Sequence, residues 1–200
     1  MHPGFALIDM QNYFFRTDER SVNKGQLIEN INFLKRYFAE HNYRIYTIVT
    51  EHKEDKSTWT LGMLDEGTGV LLEDSYEAKV IDGIAETPFD IKIVKTRMDA
   101  FLNTNFEKQL RNDNVDWLVC GGVYTHGCVY HTAIDAHERN IRSIIASDCP
   151  SDYKPELYPT LPDILLRFFA QHGSIMNNQE IIENLGKHSQ DRSQSKCSQT

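Results

Sequence analysis

Several common scaffolding devices are missing from this 200-residue sequence. Its four cysteines, at 120, 128, 149 and 197, are too few and too irregular for a disulfide framework. No CxxC pair occurs, so the usual zinc-ribbon spacing is absent. The opening Met-His-Pro-Gly-Phe-Ala-Leu-Ile-Asp has no basic stretch and no long apolar run, so it is not read as a secretory signal. No window approaches the ~18 apolar residues of a membrane helix. Basic residues are outnumbered, 21 against 29 acidic, for a formal net charge of −8. That balance excludes a broad nucleic-acid or anionic-membrane surface, though it leaves room for a local basic patch. The expectation is a protein of the reducing cytoplasm, with no nucleic-acid and no membrane partner. Any special cysteine is then special as a thiol.

What is present suffices for one folded domain. Apolar residues make up 40% and charged residues 25%, which excludes disorder of the whole chain. A chain of this length buries roughly 70% of its unfolded surface and needs no staple. The expected division is a domain over 1–186 and a polar tail over 187–200, which is rich in Ser, Gln and Lys and is expected to be disordered.

Periodicity alternates along the domain. Phe5–Ile8 is a short continuous apolar run, as in a strand buried on both faces. Leu27, Ile31, Leu34 and Phe38 recur at helical spacing, with Ile28 widening the stripe. Residues 44–50, 91–95, 116–120, 143–147 and 173–176 read as strands. Residues 106–111, 127–139, 161–171 and 179–185 read as helices, the first with Asn103 or Thr104 as N-cap. Residues 51–90 resist assignment. Four of the six prolines fall in 150–162, which must be a loop. Alternating strands and helices imply βαβ units. The fold class is therefore α/β, a doubly wound and mostly parallel sheet with helices on both faces.

In such sheets ligands bind beyond the carboxyl ends of the strands. Asp9 follows the first strand, and Thr50, Glu51 and His52 follow the second. Lys95 ends the third, Gly121 to Cys128 follows the fourth, and Asp148 follows the fifth. Cys128 opens a helix after a glycine-bearing turn. Free N–H groups and the helix dipole stabilise a thiolate there and can hold an oxyanion. A buried cysteine also serves as a small hydrophobe. Asp9 can act as base or cap a turn. Lys95 can hold the other two in register or end a strand in solvent. Their joint placement on one sheet edge favours chemistry. His126, His131 and His137 lie close in sequence, and His131 and Asp135 share a helix face at i, i+4. Cys120 and Cys149 read as structural.

Three motifs carry a resemblance. Ala6-Leu7-Ile8-Asp9-Met10-Gln11-Asn12-Tyr13-Phe14-Phe15 resembles the opening motif of the isochorismatase-like cysteine hydrolases. Lys95-Thr96-Arg97-Met98-Asp99-Ala100-Phe101 resembles their lysine motif. Gly121-Gly122-Val123-Tyr124-Thr125-His126-Gly127-Cys128-Val129 resembles their nucleophile segment, and Thr132-Ala133, Asp135-Ala136 and Ser147-Asp148 continue it. The match covers about 5–185. Three motifs in order are more specific than any one.

The resemblance implies an about six-stranded sheet and an Asp9-Lys95-Cys128 catalytic triad. It implies a cis Val123–Tyr124 peptide and an oxyanion hole from the N–H groups of Tyr124 and Cys128. It implies a small-molecule substrate and a homo-oligomer of unspecified size. The activity implied is hydrolysis of a C–N bond in a small amide, ureide or carbamoyl compound through a thioester. The alternatives are an isochorismatase-type enol-ether hydrolase, many of which manage without the cysteine, and a non-catalytic binding or oligomerisation module. Nicotinamidase relatives hold a metal through Asp-x-His and a second His nearby. Here the segment is Glu51-His52-Lys53-Glu54-Asp55, with no further His before 126. No metal and no cofactor are therefore expected. Phe14, Phe15, Trp59, Phe101 and Tyr124 are the candidate pocket residues. Tyr124 stands where a small residue is usual, and Asp99 where Ser is frequent, so a narrower and more acidic approach is expected. The 62–69 and 150–162 loops are candidates for covering the mouth.

Overall fold

The computed structural model describes residues 1–17, 23–151 and 160–197. Six strands form one parallel sheet: β1 (Pro3–Ile8), β2 (Arg44–Thr50), β3 (Asp90–Lys95), β4 (Trp117–Val123), β5 (Arg142–Ser151) and β6 (Ser174–Met176). Their spatial order is β3-β2-β1-β4-β5-β6. The order reverses between β1 and β4, which is where this architecture opens a ligand crevice. All six residues of β1 are buried, as its unbroken apolar run requires. Helices α1 (Lys24–Glu40) and α6 (Asn178–Cys197) cover one face. Helices α3 (Phe106–Asn112), α4 (Tyr130–Glu138) and α5 (Leu161–Phe169) cover the other. No helix among the described residues is long and apolar enough to cross a membrane.

Side-chain alternation along β1 divides the core. Phe5 and Leu7 pack with Leu27, Ile31, Leu34 and Phe38 of α1 and with Ile181 and Leu185 of α6. Ala6 and Ile8 pack with Phe106, Leu110, Ala133, Ala136 and Phe169 on the far face. Each large apolar side chain buried in this way contributes ~1.5–3 kcal/mol. Lys35 lies within the α1 stripe and is itself buried, because its ammonium meets Asp90 Oδ1 at 2.5 Å. Asp90 also accepts from Thr47 Oγ1 at 2.8 Å and from Thr87 Oγ1 at 2.6 Å.

The unassigned stretch 51–90 contains a short helix, α2 (Leu61–Glu66). Thr60 Oγ1 caps it by accepting from Met63 N, and Gly67 ends it at φ 65°. The α3 N-cap is Asn105 rather than Asn103 or Thr104, although Thr104 Oγ1 does accept from Phe106 N. The helix expected over 127–139 is split. A π-helical turn, Thr125–Val129, precedes α4, and Gly127 at φ −116°, ψ −112° breaks the continuity. Strand β5 runs on to Ser151, past the expected end at 147. The last helix continues to Cys197 through the segment expected to lack structure. The covering role given to the 150–162 loop falls on residues 152–159, outside the described residues.

Gly122 has φ 121°, and a Cβ there would lie 2.0 Å from the Ile8 carbonyl oxygen. Only glycine lets β4 pass this close to β1 before the chain turns toward Cys128.

Candidate active site

Four neighbouring strands each deliver one polar group to the carboxyl edge of the sheet. In spatial order these are Lys95 at the end of β3, Thr50 at the end of β2, Asp9 after β1, and Cys128 in the turn after β4. The register fixes their heights. Thr50 pairs with Lys95, and Asp9 N donates to the Ile48 carbonyl at 2.9 Å. Asp9 takes φ 53°, a conformation Asp tolerates better than most residues. Lys95 reaches from the edge strand across β2, about two strand spacings or ~10 Å. The Val123–Tyr124 peptide is cis.

The contacts are short and dry. Asp9 is fully buried and Lys95 is 1% exposed. Lys95 Nζ lies 2.7 Å from Asp9 Oδ2. It also donates to Thr50 Oγ1 at 2.7 Å, to the Arg97 carbonyl at 3.0 Å and to Cys128 Sγ at 3.3 Å. Thr50 Oγ1 donates to Asp9 Oδ1 at 2.9 Å. Two opposite charges buried without water persist only with such pairing and added hydrogen bonds. Sequence reasoning placed Thr50 at a strand end but gave it no role, because its β-branched side chain reads as an ordinary strand residue.

Electrostatics correct one expectation. The helix N-terminus was read as a setting that stabilises the Cys128 thiolate. Its pKa is instead pushed up to about 12, first by burial and then by Asp9, with Lys95 pulling it down. The irregular turn Thr125–Val129, not a regular first helical turn, presents the sulfur. Burial and Asp9 thus favour the protonated thiol, against the pull of Lys95. Lys95 shows the converse balance. Burial disfavours its charge, but Asp9 and Cys128 outweigh burial and hold its pKa above the ordinary lysine value.

The aromatic candidates separate. Phe14 meets the ring of Tyr124 edge-on at 5.5 Å, and Tyr124 stacks on His126 at 5.9 Å. Trp59 is held by Nε1–H donation to the Lys53 carbonyl, and its own carbonyl accepts from Arg97. A Cβ on Gly69 would lie 2.5 Å from the Trp59 ring, so this glycine in the loop after α2 is what lets the indole seat. Phe15 and Phe101 lie in the two core clusters, on opposite faces of the sheet, so they are not brought to one place. His131 and Asp135 do not pair. His131 Nδ1 bonds the Gly127 carbonyl, and Asp135 accepts from Arg139 Nη2 at 2.8 Å.

A metal does not fit these residues. His52 is buried with Nδ1 on the Thr58 carbonyl. Burial lowers its pKa, the carbonyl opposes this, and the charges of Arg97 and Lys95 lower it further. Two neighbouring cations and the committed Thr50 hydroxyl make a poor cation site. Among the described residues, no group of three or more His, Cys, Asp or Glu could hold a metal ion. Asp99 lies beside Asp135 and accepts from Phe101 N at 2.9 Å.

Fold and site together describe an α/β protein with an Asp-Lys-Cys cluster buried at the switch point of a doubly wound sheet. The isochorismatase domain model matches residues 4–171, and the chain belongs to the isochorismatase-like cysteine hydrolase family. It is 32% identical over 148 residues to enterobactin synthase component B of Escherichia coli (strain K12), a match covering 72% of this chain and 51% of that protein. It is 38% identical over 88 residues to N-carbamoylsarcosine amidase of Arthrobacter sp, covering 44% of this chain and 33% of that protein. The chain thus spans about half, or less, of the length of these relatives. The solved structure of an isochorismatase family protein from Desulfovibrio vulgaris subsp. vulgaris str. Hildenborough shares the fold. Its TM-score is 0.81 at 22% identity, over 92% of this chain and 98% of that one.

Proposed function

We propose that this chain is a metal-independent cysteine hydrolase that cleaves the C–N bond of a small amide, ureide or carbamoyl compound. One observation carries the reading: a fully buried carboxylate–ammonium pair whose ammonium also contacts the Cys128 sulfur at 3.3 Å. A merely structural cysteine gains nothing from so costly a setting.

The chemistry follows from the proton inventory. Asp9 takes the thiol proton as sulfur attacks the carbonyl carbon. The tetrahedral oxyanion rests on the N–H groups of Tyr124 and Cys128. Collapse breaks the C–N bond, and the amine leaves with the proton from Asp9. Asp9 then deprotonates water, which attacks the thioester and releases the acid, while the sulfur recovers its proton. Lys95 stays charged throughout and offsets the negative charge on sulfur and carboxylate. The likeness to N-carbamoylsarcosine amidase supports the carbamoyl class.

A screen of small amides, ureides, N-carbamoyl compounds and isochorismate tests this, read as ammonia or pyruvate release. Ammonia release that disappears in Cys128→Ala and Asp9→Asn is the expected result. Pyruvate release from isochorismate that survives Cys128→Ala overturns it in favour of enol-ether hydrolysis.

A further inference from the structure

We propose that Thr50 is a positioning residue of the reaction, which directs the proton of Cys128 to one oxygen of Asp9. The inference rests on the cysteine-hydrolase reading and assigns a further member to that site.

Counting hydrogens carries it. The Lys95 ammonium has three hydrogens and no lone pair. Its three hydrogen bonds go to Thr50 Oγ1, the Arg97 carbonyl and Cys128 Sγ. A fourth acceptor, Asp9 Oδ2, lies 2.7 Å from Nζ and competes for those three hydrogens. The Thr50 hydroxyl has one hydrogen. It cannot point at Lys95, which only donates, so it goes to Asp9 Oδ1 at 2.9 Å. The sulfur accepts from Lys95, which leaves the thiol hydrogen to find an acceptor. Thr50 occupies Oδ1, which leaves Oδ2 as the carboxylate oxygen without a donor of full geometry, and Asp9 acts directly on the Cys128 thiol.

Remove the Thr50 hydroxyl and the circuit opens. One Lys95 hydrogen loses its acceptor and turns to the nearest oxygen, Asp9 Oδ2. Oδ1 loses its donor as well. The base then carries a hydrogen bond where it should receive a proton. Thr50 does not depend on its side chain for its place. Its N–H donates to Gln11 Oε1 at 2.9 Å, and its carbonyl accepts from Gln11 Nε2 at 2.8 Å. A near-isosteric Thr50→Val change therefore removes the hydroxyl and leaves the backbone pinned.

The test uses the full chain and iodoacetamide, with each cysteine followed by peptide mass spectrometry. Below its pKa an unassisted thiol is alkylated about tenfold faster for each unit by which the pH rises, whereas one deprotonated by a neighbouring carboxylate shows a plateau. Wild-type Cys128 is expected to show that plateau between about pH 6 and 9. Thr50→Val should lower the plateau about tenfold or more and restore the climb with pH. Thr50→Ser, which keeps the hydroxyl, should bring the plateau back. Thr50→Ala serves where valine prevents folding. A plateau unchanged in both Thr50→Val and Thr50→Ala overturns the role of Thr50 while leaving the cysteine-hydrolase reading intact. A wild-type Cys128 with no plateau, or one that persists in Asp9→Asn, defeats that reading instead.

Discussion

The Asp99→Asn substitution should make this protein more stable, and only above about pH 4. Asp99 sits between the lysine-motif loop and α4, partly buried, with Asp135 as its neighbour. Its carboxyl is pushed up from 3.8 to about 6. Burial is the first cause, and the hydrogen bond and charge of Asp135 add to it. The Phe101 N–H and Arg139 pull the other way. A folded-state pKa above the unfolded one means that the native state holds the extra proton. Stability is complete below the unfolded pKa, falls as pH rises toward about 6, and stays reduced above it. A gap of about two pH units corresponds to about 3 kcal/mol for a fully buried group. Partial exposure discounts this to about 1–2 kcal/mol. Asparagine keeps the acceptor for Phe101 N and supplies a donor toward Asp135. Urea unfolding at about pH 4, 6 and 7.5 should show the variant gaining about 1–2 kcal/mol at the highest pH and nothing at the lowest. For a chain of this size the gain corresponds to roughly 3–6 °C in Tm. A variant destabilised equally at every pH, or a gain largest in acid, would refute the reasoning.

Four further outcomes follow. Lys35→Met leaves Asp90 buried against Thr47 and Thr87 without its cation, which should cost about 3 kcal/mol at pH 7. Burial raises the Asp90 pKa, but Lys35 and the hydroxyls outweigh burial and lower it. The deficit should therefore shrink in acid as Asp90 protonates, and an equal deficit in urea unfolding at pH 7 and pH 4 contradicts the ion-pair account. Gly122→Ala should yield no folded protein, since its Cβ meets the Ile8 carbonyl. Gly25→Ala, with nothing within 4 Å, should gain about 0.5–1 kcal/mol by thermal melts. Dialysis against EDTA should leave turnover unchanged, and stoichiometric zinc or iron whose removal stops the reaction contradicts the metal-independent mechanism.

The strands and their alternation with helices were legible because burial on both faces demands continuous apolar runs, as in Phe5–Ile8. The α1 stripe was legible for the same reason, with Lys35 the exception. Nothing local marks that lysine as buried, since its partner Asp90 lies 55 positions away. The short helix α2 was hidden by the glycines around it and by its exposed Leu61 and Leu64. At the site, Asp9, Lys95 and Cys128 were legible as residue types at strand ends. The state of the sulfur was not. Helix position predicted a thiolate, whereas the desolvation that decides the matter depends on tertiary burial. The position of Thr50 at a strand end was legible, but its role was not, because that role is a hydrogen-bond direction, a property of four strands in register. Phe15 and Phe101 look alike in sequence, and only the paths of the segments after β1 and β3 assign them to opposite faces.

Lys95 has a further consequence through its address. It belongs to β3, which pairs with β2 alone and so lies at the margin of the sheet, where opening costs least. When that margin frays, the ammonium leaves with it. Without Lys95 the sulfur would face Asp9 alone, which raises its pKa, and lose the charge that lowers it. The buried Asp9–Lys95–Cys128 cluster therefore depends on an edge strand for its cation, so the arrangement is complete only where β3 is paired with β2.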